Sequence, residues 1–334
     1  MPELRKDPVL SRWIIIASER RQRPSDFLVE HPPVKNDGFC PLCAGHEQTT
    51  PPEVWAYRLG GGQAPNGPGW QVRVVPNKYP ALRIEGSLDK RGEGIYDRMN
   101  GVGAHEVIIE SPNHDDQFAY LPPDKIFYVL LAYRERILDL QKDPRFSYVM
   151  IFKNHGRAAG ASLEHSHSQL VALPVTPQLI SAEMDGAASY YRFRERCIFC
   201  DMIAQELYQD VRVVGQNDDF VVISPYAPRT PFEMWVLPKE HESGYRFQSD
   251  KSLSSLAAIL SETLRRLDAI IPGVPYNFVL HTSPLRTNCS DHYHWHLEIV
   301  PKLTSIAGFE WGSGFYINPV PPEEATRHMK DAKL

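Results

Sequence analysis

The sequence predicts an α+β protein made of two copies of one unit, on three observations. A helix-length run with apolar residues at 3.6-residue spacing occurs twice, a strand-length apolar run precedes each, and a Cys-x-x-Cys pair stands upstream of each. Length and composition allow this: 334 residues, 42% hydrophobic and 23% charged, supply one large core or two medium ones and exclude disorder on the scale of a domain.

The elements follow in chain order. After Met1–Asp7 comes only the brief apolar run Trp13 to Ala17, too short for a signal peptide. Cys40 and Cys43 precede the apolar stretch Val74 to Tyr79, as Cys197 and Cys200 precede Val221 to Tyr226. Between them the Gly/Pro-rich stretch Gly60 to Gly69 is expected as a surface loop. Glu106 to Glu110 reads as a strand running to His114, and at a shift of 127 residues it falls on Glu233 to Leu237 running to His241. The same shift lays the helix stripe Ile126, Val129, Leu130, Tyr133, Ile137, Leu140 on Leu253, Leu256, Ala257, Leu260, Leu264, Leu267. It also lays His165-Ser-His167-Ser-Gln169 on His292-Tyr-His294-Trp-His296, and Pro174 on Pro301. The expected boundaries are an N-terminal unit over 1–174 carrying the catalytic site, a connector over 175–196, and a C-terminal unit over 197–334 with a second metal site.

Cys-x-x-Cys supplies two thiolates from one turn, and histidines brought from elsewhere complete a tetrahedron. Cys40, Cys43, His114 and His165 form one such candidate set; Cys197, Cys200, His241 and His292 form the other, at equal His-to-His spacing. Two thiolates and two neutral imidazoles cancel the charge of Zn²⁺ and leave no open position, so two structural zinc sites are expected, with iron an option at the second. The fifth cysteine, Cys289, has no counterpart at this offset and reads as a free thiol. Cysteines used this way point to a reducing, cytoplasmic compartment.

On the strand after the glycine-containing turn, His165, His167 and Gln169 point the same way. That puts a metal ligand beside a second imidazole. A neutral imidazole is a competent nucleophile towards phosphorus, and Gln169, Ser162 and backbone amides can stabilise the charge that develops on phosphoryl oxygens. An amide cannot serve as general acid, which suits a phosphate leaving group and transfer more than hydrolysis. The competing nucleophile is His294, whose preceding loop lacks glycines; a hydrolase using His292, His294 and His296 is the other reading of that triplet. The net charge of −5 gives no reason to expect nucleic acid, and no apolar stretch reaches membrane-spanning length.

Over nearly its whole length the chain resembles the galactose-1-phosphate uridylyltransferase family of the histidine-triad superfamily. Three blocks carry the resemblance: Arg5 to Pro24, Asn154 to Gln169, and Gly308 to Asn318. The resemblance implies two fused histidine-triad units forming an open antiparallel sheet flanked by helices, a homodimer with active sites bordering the subunit interface, and His167 as the nucleotidylated residue. It implies further that Arg20 and Arg23 lie at the substrate phosphates, that Asn77, Asn154, Ser162 and Gln169 contact the nucleotide or its phosphates, and that Glu310 contacts the sugar. The chain departs from the family pattern at Ser166, where Pro is usual, at Lys78 and Tyr79, and at Tyr316, where a sugar-binding glutamine is expected. Better-known members use Glu and His at the second metal site, where this chain offers Cys197 and Cys200. The two cysteine sites, His-Ser-His-Ser-Gln and Gly312-x-Gly-x-Tyr-Ile-Asn318 are similar to ADP-glucose phosphorylase, a close relative. The implied partners are a nucleotide sugar and a hexose 1-phosphate or inorganic phosphate. The expected function is a ping-pong UDP-glucose:hexose-1-phosphate uridylyltransferase acting on galactose 1-phosphate. The alternatives are an ADP-glucose phosphorylase passing AMP to phosphate and a nucleotide-binding regulatory protein.

Overall fold

The computed structural model describes the chain except residues 21, 28, 30–37, 62 and 63. Its first half holds strands β1 (Glu3–Lys6), β2 (Trp13–Ile16), β3 (Trp55–Arg58), β4 (Trp70–Pro76), β5 (Arg91–Glu93), β6 (Tyr96–Arg98), β7 (Ala104–Ile109), β8 (Tyr148–His155) and β9 (His167–Leu173), with helices α1 (Pro123–Leu140) and α2 (Gln178–Arg194). The second half holds α3 (Ile198–Gln209), β10 (Val213–Gln216), β11 (Phe220–Ile223), β12 (Met234–Pro238), α4 (Asp250–Ile270), β13 (Tyr276–His281), β14 (His296–Pro301), α5 (Gly308–Ser313), β15 (Tyr316–Asn318) and α6 (Pro322–Lys330).

Ten strands form one sheet in the order β10-β11-β12-β14-β13-β8-β9-β7-β4-β3. Read from either edge inward, the order repeats. The two halves meet where β8 pairs antiparallel with β13, Asn154 opposite Asn277. All its pairings are antiparallel and its edges, β3 and β10, stay open, so the expected open antiparallel sheet of two repeated units is the architecture.

The helical periodicity decides which face is covered. In α1 the stripe Ile126, Val129, Leu130, Tyr133, Ile137 and Leu140 is buried, and Pro123 sits in the first turn, where its missing N–H costs nothing. Helix α4 starts at the cap Ser249, whose side chain accepts the Ser252 amide, and buries Leu253, Leu256, Ala257, Leu260, Leu264 and Leu267. The two helices pack together and share one core with Ile108, Ile151, Leu170, Phe278, Leu297 and Ile299. Each large apolar side chain in that core contributes roughly 1.5–3 kcal/mol.

Side chains alternate along a strand, so the intervening residues turn to the opposite face. There Val107, Gln169, Phe152 and Val279 form one row in register across β7, β9, β8 and β13, all half-buried. This is the face that carries His167. Residues 178–194, expected as part of a connector, form α2, and Cys197 is the N-cap of α3. A separate sheet of β1, β2 and β15 ties the N-terminal segment to the C-terminal one, with Tyr316 beside Ile14 and Asn318 beside Ile16. The described part of Gly60 to Gly69 forms the turn between β3 and β4.

Candidate active site and metal-binding groups

Cys40 and Cys43 project from a turn, His114 follows β7, and His165 precedes β9; together their ligand atoms are close enough for one metal ion. Cys40 Sγ and Cys43 Sγ lie 3.7 and 3.6 Å from His165 Nδ1, and Cys43 Sγ lies 3.6 Å from His114 Nδ1. A tetrahedron with zinc–sulfur bonds of about 2.3 Å and zinc–nitrogen bonds of about 2.0–2.1 Å would put sulfur and nitrogen about 3.6 Å apart. The donor set and its spacing therefore fit the ion. His165 Nε2 donates to the Ser111 carbonyl at 2.7 Å, which fixes the tautomer that leaves Nδ1 bare for a metal.

In the second copy the structure corrects one ligand. Cys197, Cys200 and His241 are joined by His294, whereas the expected His292 lies outside the group. Strand register gives the reason. Phe152 pairs with Gln169, but Val279, its counterpart 127 residues on, pairs with Glu298, 129 residues after Gln169. The loop entering the last strand is two residues longer in the second copy, so His165 corresponds to His294 and His167 to His296. The geometry otherwise repeats: Cys200 Sγ lies 3.3 Å from His241 Nδ1 and 3.6 Å from His294 Nδ1, while the Nε2 atoms donate to Ser290 and Pro238 carbonyls.

His167 Nδ1 donates to the His165 carbonyl at 2.8 Å. Its Nε2 therefore carries the lone pair, and no hydrogen bond from the described residues occupies it. Burial first, then the nearby Lys153 ammonium, hold this imidazole below its ordinary pKa, so it is neutral at pH 7. Beneath the strand, buried Lys153 donates to Glu110, to Ser166 Oγ at 3.1 Å and to the His167 carbonyl at 3.0 Å. Glu110 also accepts from Ser166 and Ser168, at 2.6 and 2.8 Å. Ser166, standing where the family pattern has Pro, is thus a hydrogen-bonding member of the support under His167.

The loop between β8 and β9 is shaped by glycine. Gly156 and Gly160 take φ of +79° and +90°, and a Cβ on Gly156 would come within 2.9 Å of Pro275. Asn277, from the second copy, donates to Asn154 Oδ1 and to the Ala159 carbonyl, both at 2.8 Å. Ser162 is exposed further along the loop. Asn77 follows β4, with its amide on the His105 carbonyl at 2.8 Å and its Oδ1 accepting the Tyr79 amide at 2.9 Å. His105 in turn reaches Gln169 Oε1 at 2.9 Å. Sequence reasoning passed over Asn277 and His105, since neither belongs to a motif; their only signal is a polar residue on an alternating strand.

The remaining expected residues lie elsewhere. Arg20 and Arg23 are exposed on the segment after β2; Glu310 is on α5, its carboxylate accepting the Ala307 amide at 3.0 Å, and Tyr316 is on β15 under the Arg12 guanidinium. No hydrogen bond or ion pair among the described residues joins any of the four to His167, Gln169 or Ser162.

A third group escaped sequence reasoning. Glu183 of α2, His281 of β13, and His296 and Glu298 of β14 converge, all buried. Glu183 accepts from His281 at 3.0 Å and from the Tyr293 hydroxyl at 3.1 Å, and Glu298 accepts from Arg229 at 2.5 Å. The group is thus charge-paired without an ion, although His296 Nε2 is buried with no partner. His294 is committed to the cysteines and His296 has no exposure, so neither is an open nucleophile and the His292–His294–His296 hydrolase loses its basis.

Comparisons with known proteins place the whole chain in a family. Residues 1–177 match the family model described as galactose-1-phosphate uridyl transferase, N-terminal domain, and residues 103–333 match a domain of unknown function, DUF4921. ADP-glucose phosphorylase of Arabidopsis thaliana is 38% identical over 339 residues, covering 100% of this chain and 93% of that protein. Galactose-1-phosphate uridylyltransferase of Thermotoga maritima is 26% identical, covering 100% of this chain and 99% of that protein. Among solved structures, the Arabidopsis thaliana ADP-glucose phosphorylase with bound ADP-glucose superposes with a TM-score of 0.85 at 35% identity and covers 100% of both chains. A fold of two joined units, a bare imidazole beside a Cys/His group and relatives matched end to end converge on one conclusion: the chain belongs to the galactose-1-phosphate uridylyltransferase family of nucleotidyltransferases.

Proposed function

We propose that this protein is a nucleotide-sugar phosphorylase, taking AMP from ADP-glucose onto His167 and passing it to inorganic phosphate. His167 Nε2 attacks the α-phosphorus; the bond to the bridging oxygen breaks, and hexose 1-phosphate leaves without needing a proton. A phosphate oxygen then attacks the same phosphorus, the P–N bond breaks, and a nucleoside diphosphate departs. The observation that carries this reading is His167 itself, with Nδ1 on the His165 carbonyl and Nε2 free of any hydrogen bond from the described residues. That carbonyl offsets the charge the ring gains on bonding to phosphorus.

The sequence put uridylyl transfer to galactose 1-phosphate first. The end-to-end 38% identity to an ADP-glucose phosphorylase, against 26% to a uridylyltransferase, favours phosphate as acceptor and adenine as base. Transfer of UMP to galactose 1-phosphate is the second reading, supported by the family match over residues 1–177.

The rest of the reading assigns Gln169, Ser162, Arg20 and Arg23 to the phosphates, Asn77 and Asn154 to the nucleotide, and Glu310 and Tyr316 to the sugar. Zinc would be held by Cys40, Cys43, His114 and His165, and by Cys197, Cys200, His241 and His294; both are closed sites that brace loops. A homodimer and a cytoplasmic location belong to the same proposal. No helix among the described residues is long and apolar enough to cross a membrane.

The test is intact-protein mass after ADP-glucose or UDP-glucose, with His167→Gly as control. The expected result is an added AMP mass, absent from the control and discharged as ADP by phosphate. A UMP adduct discharged by galactose 1-phosphate supports the second reading, and no adduct from either sugar sinks the nucleophile.

A further inference from the structure

His105 stands on β7 opposite Val171, diagonal to Gln169 on the face that carries His167. Its Nδ1 accepts the Ala81 amide at 3.1 Å. A backbone N–H can only donate, so Nδ1 is bare and a neutral ring carries its hydrogen on Nε2. That N–H, 2.9 Å away, meets Gln169 Oε1. The network thereby assigns the two ends of the Gln169 amide: its oxygen is engaged, and its NH₂ has no partner among the described residues. Asn77 is sorted in the same way. Its Oδ1 accepts the Tyr79 amide, and its nitrogen, 3.2 Å from His105 Nε2, finds no lone pair there.

We propose that His105 is a positioning residue for nucleotidyl transfer: it holds Gln169 with its donating end free for the phosphoryl oxygens and, through Ala81, ties that orientation to the loop that follows Asn77. The inference rests on the His167 reading. A primary amide turned by half a rotation would set a carbonyl oxygen against phosphate oxygens, exchanging a hydrogen bond for a repulsion at the point where negative charge grows. The two orientations have nearly the same shape, so packing alone does not choose between them. A ring whose tautomer is locked by a backbone amide does.

A double-mutant cycle tests this, read as the single-turnover rate at which ADP-glucose adds AMP to His167. His105→Phe keeps a ring and loses both hydrogen bonds; the rate should fall about 10- to 30-fold, a fraction of the loss on removing a whole oxyanion donor. The Kd for ADP-glucose should move by less than about threefold, since the orientation matters most in the transition state. His105→Gln, which keeps a donor, should recover part of the rate. In a Gln169→Ala background His105→Phe should add less than about a factor of two, because residues that act through one another are not additive. An unchanged rate in His105→Phe, or equal losses in both backgrounds, would overturn the proposal. Should His105→Phe not fold, His105→Asn keeps an acceptor for Ala81 without reaching Gln169 and runs through the same cycle with the same outcomes. If the unsubstituted protein gains only UMP, the cycle is read with UDP-glucose and the same outcomes; if it gains neither AMP nor UMP, the His167 chemistry fails and this inference falls with it, a result distinct from the other two.

Discussion

Under the strand that carries His167 lies a buried charge pair, Lys153 and Glu110, and the residue-scale question is what holds it there. Two serine hydroxyls and the His167 carbonyl complete its hydrogen bonding, so neither charge is left bare. Removing one partner of such a pair is costly because the other stays charged in an apolar interior. Lys153→Met should therefore lose about 3–5 kcal/mol in urea denaturation, and adding Glu110→Gln should restore part of that loss. A double variant as unstable as the sum of the singles would show that the two do not act as a pair. The sequence made His165, His167 and Gln169 legible as a set because alternation on a strand is a rule of covalent geometry. It could not show Lys153 and Glu110 beneath them, since their pairing depends on which strands are neighbours, and no residue-to-residue spacing encodes that.

At the scale of elements, β9 and β14 reuse one backbone for different chemistry. His296 Nδ1 lies 3.1 Å from the His294 carbonyl, as His167 Nδ1 lies 2.8 Å from that of His165, but Glu298 replaces Gln169 and α2 lays Glu183 over the site. The helical stripes were legible because they are local and periodic. The two-residue difference in strand register and the role of α2 were not, because a loop length sets the first and Glu183 belongs to no motif. The pairing has a pH signature. Burial works against the Glu298 carboxylate, yet Arg229 and His281 prevail and hold it at about 2; its stabilisation is complete above the usual value near 4.5 and is lost as pH falls from there towards 2. Burial likewise opposes a charged His281, but Glu183 and Glu298 raise it to about 9, so its contribution is complete below 6.5 and lost as pH rises to 9. The Tm gap between wild type and Glu298→Gln should thus close on the acid side, and that for His281→Gln on the alkaline side. Gaps that stay constant with pH would rule out this charge pairing.

Across the whole molecule, the halves are joined by the β8–β13 pairing and by the packing of α1 on α4, and their polar groups differ. The first copy presents the open imidazole; in the second, the same positions are closed into buried ion pairs. What the second copy gives the first is positional. Asn277 lies opposite Asn154 across the junction and spends both hydrogens of its amide on the glycine loop, at Asn154 Oδ1 and the Ala159 carbonyl. Asn277→Asp has the same shape but no donor, so it removes this brace while leaving the α1–α4 core untouched. Small displacements of a reacting group are expensive, since a shift of about 1 Å can cost on the order of 100-fold in rate. The single-turnover formation of the His167 adduct should therefore slow by about tenfold or more, while the thermal midpoint moves little. If the adduct forms at the wild-type rate, the second copy acts on the first only through the shared core, and the loop is held by its glycines alone.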